Sequence, residues 1–133
     1  MKTSLYHIQL NISDAKVSLP FYRDLFTYLE YRIIDESPEH IGVSNGGTDF
    51  WIIETEPSHK INKFNRKNTG INHLALRLDS KELVDKFVSE FLNTKNIPTL
   101  YQTPRVFPEY GGEYYAVFFE DPDRIKLEVM CKN

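Results

Sequence analysis

Two stretches 66 positions apart carry the same strand pattern, and that repeat narrows the possible folds of this chain more than any other feature. Residues 6–14 read YHIQLNISD and residues 72–80 read NHLALRLDS, and they align on His7 and His73. In the first, Ile8, Leu10 and Ile12 share one parity while His7, Gln9, Asn11 and Ser13 share the other. In the second, Leu74, Leu76 and Leu78 oppose His73, Ala75, Arg77 and Asp79. Successive side chains of a strand point to opposite faces, so each histidine looks away from an apolar face. Each strand then runs into a polar turn and a helix-like segment. Two half-domains of one design are expected.

The rest of the chain fills in both halves. Ser13 or Asp14 offers a helix cap, and residues 15–29 carry Val17, Phe21, Leu25 and Tyr28 on one helical stripe, with Pro20 inside the pattern. A strand at 31–37 ends before Pro38. HIGVSN and DFWIIETE then pair as a hairpin around Asn45-Gly46-Gly47, which is turn chemistry. Residues 57–70 are polar and turn-rich and read as a linker. The second half repeats the order. A strand at 72–78 precedes a helix from about Lys81 to Thr94, with Leu83, Phe87, Val88, Phe91 and Leu92 expected inside. A strand near 98–102 follows, then a loop from Arg105 to Gly112, then EYYAVFFE and RIKLEVM as a hairpin about Asp121-Pro122-Asp123. Each half is strand–helix–strand–strand–strand, an α+β arrangement. The expected organisation is one domain over 1–133, with a first module at about 5–57, a linker at about 58–70 and a second module at about 71–131.

Composition excludes several classes. At 133 residues the chain is long enough for one core and needs no disulfide. A net charge of −3 argues against a nucleic-acid partner, which calls for a basic face. No apolar run reaches membrane-spanning length, and MKTSLYHIQ lacks the apolar centre of a signal peptide, so a cytoplasmic location is expected. The single cysteine, Cys131, shares parity with Ile125, Leu127 and Val129 and is expected to be a buried thiol. Tyr101, Tyr110, Tyr114 and Tyr115 cluster around a segment bearing Pro and Gly. They line a pocket or decorate a surface loop; the pattern alone permits both.

The chemistry-bearing residues sit at corresponding places. Glu54 and Glu128 stand in the last strand of each half, as His7 and His73 stand in the first. If each helix covers one face of its sheet, the four are expected to point from the other faces into a shared cleft. Two imidazoles and two carboxylates suit one divalent ion such as Zn²⁺, Ni²⁺, Fe²⁺ or Mn²⁺ better than Ca²⁺. The plainer reading is four independent surface residues.

Taken with the motifs around them, these residues make the chain resemble the vicinal oxygen chelate superfamily, which includes glyoxalase I, bleomycin-resistance proteins, fosfomycin-resistance enzymes, methylmalonyl-CoA epimerase and extradiol dioxygenases. The resemblance covers residues 5 to 130 and rests on HIQLNISD followed by PFYRDLF, on GINHLALRLD, and on FFEDPDRIKLEV. It implies two βαβββ modules with curved mixed sheets forming a metal-binding cleft, and metal ligands at His7, Glu54, His73 and Glu128. A small-molecule substrate and a homodimer are implied, without nucleic acid or membrane. Two departures stand out: Arg124 replaces the glycine that usually closes the DPDG turn, and Thr27 stands where a glycine commonly ends the first helix.

The resemblance also implies a reaction. Its metal-free binding proteins lack the ligands, and its fosfomycin-resistance enzymes and dioxygenases use a His, His, Glu triad. A fourth acidic ligand tips the expectation toward a glyoxalase I-like lyase or isomerase that stabilises an enediolate on a small carbonyl substrate. Glu128 would move the proton, with Glu54 sharing that duty. Trp51, Arg105, Tyr114 and Tyr115 are the expected pocket wall, with a surface arginine as the plainer reading of Arg105. Two alternatives stay open: a ferrous-iron dioxygenase using His7, His73 and Glu128, and a non-catalytic binding or resistance protein.

Overall fold

A computed structural model describes residues 1–133 and divides them into two compact units, Met1–Lys63 and Phe64–Asn133. The division falls inside the polar segment read as a linker. No helix is long and apolar enough to cross a membrane.

The first unit runs β1 (His7–Ile12), α1 (Ala15–Tyr28), β2 (Arg32–Glu36), β3 (His40–Ser44) and β4 (Asp49–Glu54), followed by a 3-10 turn at Pro57–His59. Its open sheet has the order β1-β4-β3-β2, with β1 and β4 parallel and the other pairs antiparallel. Parallel neighbours need a long crossover, and α1 belongs to that connection. Asp14 caps the helix by accepting the Lys16 N–H at 2.9 Å. Its buried stripe is Ala15, Ser18, Leu19, Tyr22, Leu25 and Phe26, which corrects the expected register: Val17 is exposed, and only Leu25 of the expected stripe lies fully inside. Phe26 meets Phe50 of β4 at 4.9 Å between ring centres, fixing which face of that strand α1 covers.

The helix ends without a glycine. Thr27 lies within α1, and the left-handed residue is Glu30, at φ 64°. Its N–H donates to the Thr27 carbonyl while the Tyr31 N–H donates to Phe26, a Schellman-type closure.

The second unit repeats the topology with β5 (His73–Arg77), α2 (Lys81–Phe87), β6 (Thr99–Val106), β7 (Tyr114–Glu120) and β8 (Lys126–Lys132), in the sheet order β5-β8-β7-β6. Instead of running unbroken to Thr94, α2 passes into a π-helical turn at Val88–Leu92. That turn adds a residue per turn, which keeps Phe87, Phe91 and Leu92 all buried. Val84, not Leu83, occupies the inner position, and Leu83 is exposed. The turn between β7 and β8 is held by Asp121, whose carboxylate accepts the Asp123 and Ile125 N–H groups at 2.8 Å each. Arg124 takes the left-handed conformation there, at φ 64°, a backbone form that favours glycine. Cys131 is buried, as its parity implied, and burial pushes its thiol pKa up.

Strand β6 extends past the expected end at 102, through an irregular stretch between Leu100 and Arg105. Tyr101 and Gln102 both have positive φ, at 59° and 55°, and the Thr103–Pro104 peptide is cis. The buried Thr103 side chain replaces the interrupted ladder: its hydroxyl donates to the Leu100 carbonyl at 2.6 Å and accepts the Phe118 N–H at 3.0 Å. A proline in a strand requires an edge position, and β6 is an edge.

Candidate functional site

Both faces of the second sheet are accounted for by register. Leu74 pairs with Leu127 and Leu76 with Val129, and these, with Val117 and Phe119, form the face toward α2, where Phe87 meets Phe119 at 5.6 Å. His73 pairs with Lys126 and Ala75 with Glu128, so His73, Lys126 and Glu128 share the open face. The leucine alternation that pointed His73 away from the helix is thereby realised.

On that open face lies a cavity of about 620 Å³, of ordinary small-ligand size. Phe107, Phe118, Tyr101, Tyr110 and Tyr114 supply its aromatic surface; His73, Glu128, Lys126, Arg105, Asn72 and Glu109 supply its polar groups. The aromatics are locked together. Phe107 stacks on Tyr110 at 5.2 Å and meets Phe118 edge-on at 5.6 Å. A separate small core of Phe107, Ala116, Phe118 and Met130 backs the cavity.

Glu128 is its most buried polar group, at 1% exposure. One carboxylate oxygen accepts the Tyr114 hydroxyl at 2.5 Å, and the other lies 3.1 Å from Nε2 of His73. Burial and then the neighbouring Glu128 push the Tyr114 pKa upward, so its hydroxyl remains a donor. The His73 ring is oriented from behind. Asn72 donates its amide Nδ2 to the Arg66 carbonyl at 3.1 Å, which turns its Oδ1 toward Nδ1 of His73 at 2.8 Å. Nδ1 therefore carries the hydrogen, and Nε2 is the nitrogen that faces Glu128. A ring nitrogen and a carboxylate oxygen this close need a proton or a cation between them.

The expected site residues distribute unevenly. His73, Glu128, Tyr114 and Arg105 line the one cavity. Tyr115 does not: it lies on the helix face, donating its hydroxyl to Asp85 of α2 at 2.6 Å. Adjacent residues of a strand cannot share a face, so Tyr114 and Tyr115 were never interchangeable. Arg105 stacks over the Phe107 ring at 3.8 Å and stands 3.8 Å from Glu109.

In the first unit, His7 is exposed on β1, opposite the buried Leu10 and Ile12. Trp51 pairs with Gln9 and lies on the same open face as His7. Its ring covers Gly42, where a Cβ would come within 2.6 Å of the indole. Glu54 departs from expectation. It pairs with the buried Ile12 and shares parity with Phe50 and Ile52, so it stands on the helix face, opposite His7. There its carboxylate accepts the Ala15 N–H of the first turn of α1 at 3.0 Å and meets Lys60 at 3.3 Å. Those contacts, the backbone N–H foremost, hold its pKa below the usual carboxylate value. The counterpart of Glu128 is instead Trp51: Ala75 pairs with Glu128 as Gln9 pairs with Trp51. No group of three or more His, Cys, Asp or Glu side chains that could hold a metal is assembled in the chain.

Comparison with known proteins agrees with this architecture. Residues 4–129 match the model of the Glyoxalase/Bleomycin resistance protein/Dioxygenase superfamily. The uncharacterized protein YqjT of Bacillus subtilis strain 168 is 32% identical over 130 residues, covering 97% of this chain and 99% of that one. A candidate glyoxalase of known crystal structure from Bacillus halodurans is 33% identical with a TM-score of 0.86, covering 96% of this chain and 94% of that one. The lactoylglutathione lyase of Agrobacterium tumefaciens shares the fold at 18% identity, with a TM-score of 0.69 and coverage of 98% and 94%. The chain belongs to the glyoxalase/bleomycin resistance protein/dioxygenase superfamily.

Members of this superfamily typically bind a divalent metal. His73 and Glu128 fit such an ion. Donors standing about 2.0–2.2 Å from one zinc are spaced much as His73 Nε2 and Glu128 Oε2 are, 3.1 Å apart. Asn72 supplies the support behind the imidazole that metal-ligating histidines normally have.

Proposed function

We propose that this protein is a metal-dependent enzyme that moves a proton next to a carbonyl of a small substrate held in the second-unit cavity, as a lyase or isomerase of the glyoxalase type. The observation that carries this reading is Glu128: a carboxylate at 1% exposure in the cavity, held between Tyr114 and His73. His73 and Glu128 would hold the metal. When bound, the metal supplies Lewis-acid polarisation of the substrate oxygens. Tyr114 fixes one oxygen of Glu128; the other would either hold the metal beside His73 or, freed from it, take and return the proton. The surrounding aromatic rings keep water from competing for that proton.

Glu128→Gln is expected to fold normally and to lose about 10²–10⁴-fold in turnover, the usual contribution of a positioned general base. The assay is a panel of 2-oxoaldehyde thiol adducts in D₂O with each of zinc, nickel, manganese and iron. Deuterium entering the carbon beside the carbonyl, and lost in Glu128→Gln, supports the proposal.

The orientation of Glu54 favours a second reading. With Trp51 at the place corresponding to Glu128, that place in the first unit carries no acidic residue, and by the resemblance an acidic fourth ligand separates lyases from the His, His, Glu members. A ferrous-iron dioxygenase is therefore the rival, and O₂ consumption without solvent deuterium exchange would establish it. A His7→Ala variant measures whether His7 takes part in metal binding. Homodimer formation, carried from the resemblance, is checked by light scattering.

A further inference from the structure

One cation in the second-unit cavity, Lys126, forms no ion pair. It is the strand neighbour of His73 and is buried, at 9% exposure. Its ammonium is held by aromatic rings: it lies 5.3 Å from the centre of Tyr101 and 5.5 Å from that of Phe118, and it donates to the Tyr101 hydroxyl at 3.4 Å. The two carboxylates beside it on the open face have other partners. Glu120, its partner across β7, is bound by Arg66 and Arg124. Glu128, two residues along the same face, gives its two oxygens to Tyr114 and His73. Glu109 stands beside Arg105.

A buried cation outside an ion pair is costly, and an anionic group entering the cavity would offset that cost. The backbone around it is also held in an uncommon form. Tyr101 adopts a left-handed conformation, at φ 59°, within the β6 irregularity that Thr103 stabilises. Such conformations are costly in non-glycine residues and concentrate at functional sites. Here the irregular stretch carries the phenol that contacts Lys126.

We infer that Lys126 is a specificity-determining residue that requires the cavity's ligand to carry an oxyanion, a carboxylate or a phosphate, on an apolar or aromatic body. The oxyanion pairs with the ammonium beside the Tyr101 hydroxyl, and the body packs against Phe107, Tyr110 and Phe118. Arg105, half exposed and stacked on Phe107, stands on the same wall beside Glu109. This names the substrate class of the site proposed above and rests on that reading for what happens after binding, not for binding itself.

The test is calorimetric titration of the intact protein with benzoate, phenyl phosphate and benzyl alcohol, each with and without EDTA. Both oxyanions are expected to bind at least tenfold more tightly than the neutral alcohol, and the tighter of the two identifies the carboxylate or the phosphate as the source. Lys126→Met keeps the length and apolar stem of the side chain and is expected to remove that preference, while Lys126→Arg keeps most of it. Oxyanion binding that survives in Lys126→Met, or that is abolished by EDTA but indifferent to Lys126, overturns the inference. So does benzyl alcohol binding as tightly as the anions. Deuterium exchange that persists when the anion preference is absent sinks this inference alone. An anion preference lost in Lys126→Met, with no turnover under any metal, keeps it and sinks the proposed reaction.

Discussion

Asn72 shows how a residue with no chemistry of its own decides the chemistry of its neighbour. Its amide is oriented by the Arg66 carbonyl, and the oxygen left facing His73 selects the ring tautomer. Supporting partners of this kind typically contribute 10–100-fold in metal affinity. Asn72→Ala is therefore expected to weaken metal binding by about that factor with unchanged circular dichroism; affinity equal to the parent's would mean that the tautomer is set elsewhere. The role of Asn72 was not legible in the sequence, because it depends on where the Arg66 carbonyl lies. The unpaired state of Lys126 was not legible for a similar reason. Lys126 stands in the same strand parity as Glu128, which was readable, but its lack of an ion pair depends on Arg66 and Arg124 having claimed Glu120.

At the scale of elements, the interior of each strand was more readable than its surroundings. Alternation alone placed His73 on the open face and Cys131 inside. Helix registers were harder, since α1 and α2 each carry enough apolar residues for two overlapping stripes. Contacts such as Phe26 on Phe50 and Phe87 on Phe119 chose between them. The hydrogen bond from Tyr115 to Asp85 fastens β7 to α2 and makes a titratable prediction. Burial, and then Asp85, push the Tyr115 pKa up to about 12 from 10.0. The unfolded chain ionises first, so the stabilisation from this neutral phenol is complete below pH 10 and is lost as pH rises toward 12. Urea denaturation across that window is expected to show the parent losing stability faster than Tyr115→Phe. Parallel curves would mean that the phenol is as free in the folded protein as in the unfolded one.

For the molecule as a whole, a ligand that binds only the folded state raises its stability by mass action, about 2.7 kcal/mol at a hundred times its dissociation constant. Saturating manganese or zinc is expected to raise the melting temperature of the parent and of Glu54→Gln, but not of His73→Ala. Loss of the metal effect in Glu54→Gln would return Glu54 to the ligand set and overturn its placement against α1. The sequence by itself determined the doubled βαβββ order, the hairpin turns, the open-face histidines and the superfamily, because these follow from the two-residue period of strands and from local turn chemistry. Only the tertiary structure decided that Glu54 serves the first turn of α1, that Trp51 takes the place matching Glu128, and that Tyr101, Lys126, His73 and Glu128 share a cavity. Those outcomes depend on register between strands far apart in the chain and on which acidic group each cation reaches first. A one-dimensional pattern carries the period of a strand, but pairing between strands is fixed only when the sheet closes its hydrogen bonds around a packed core.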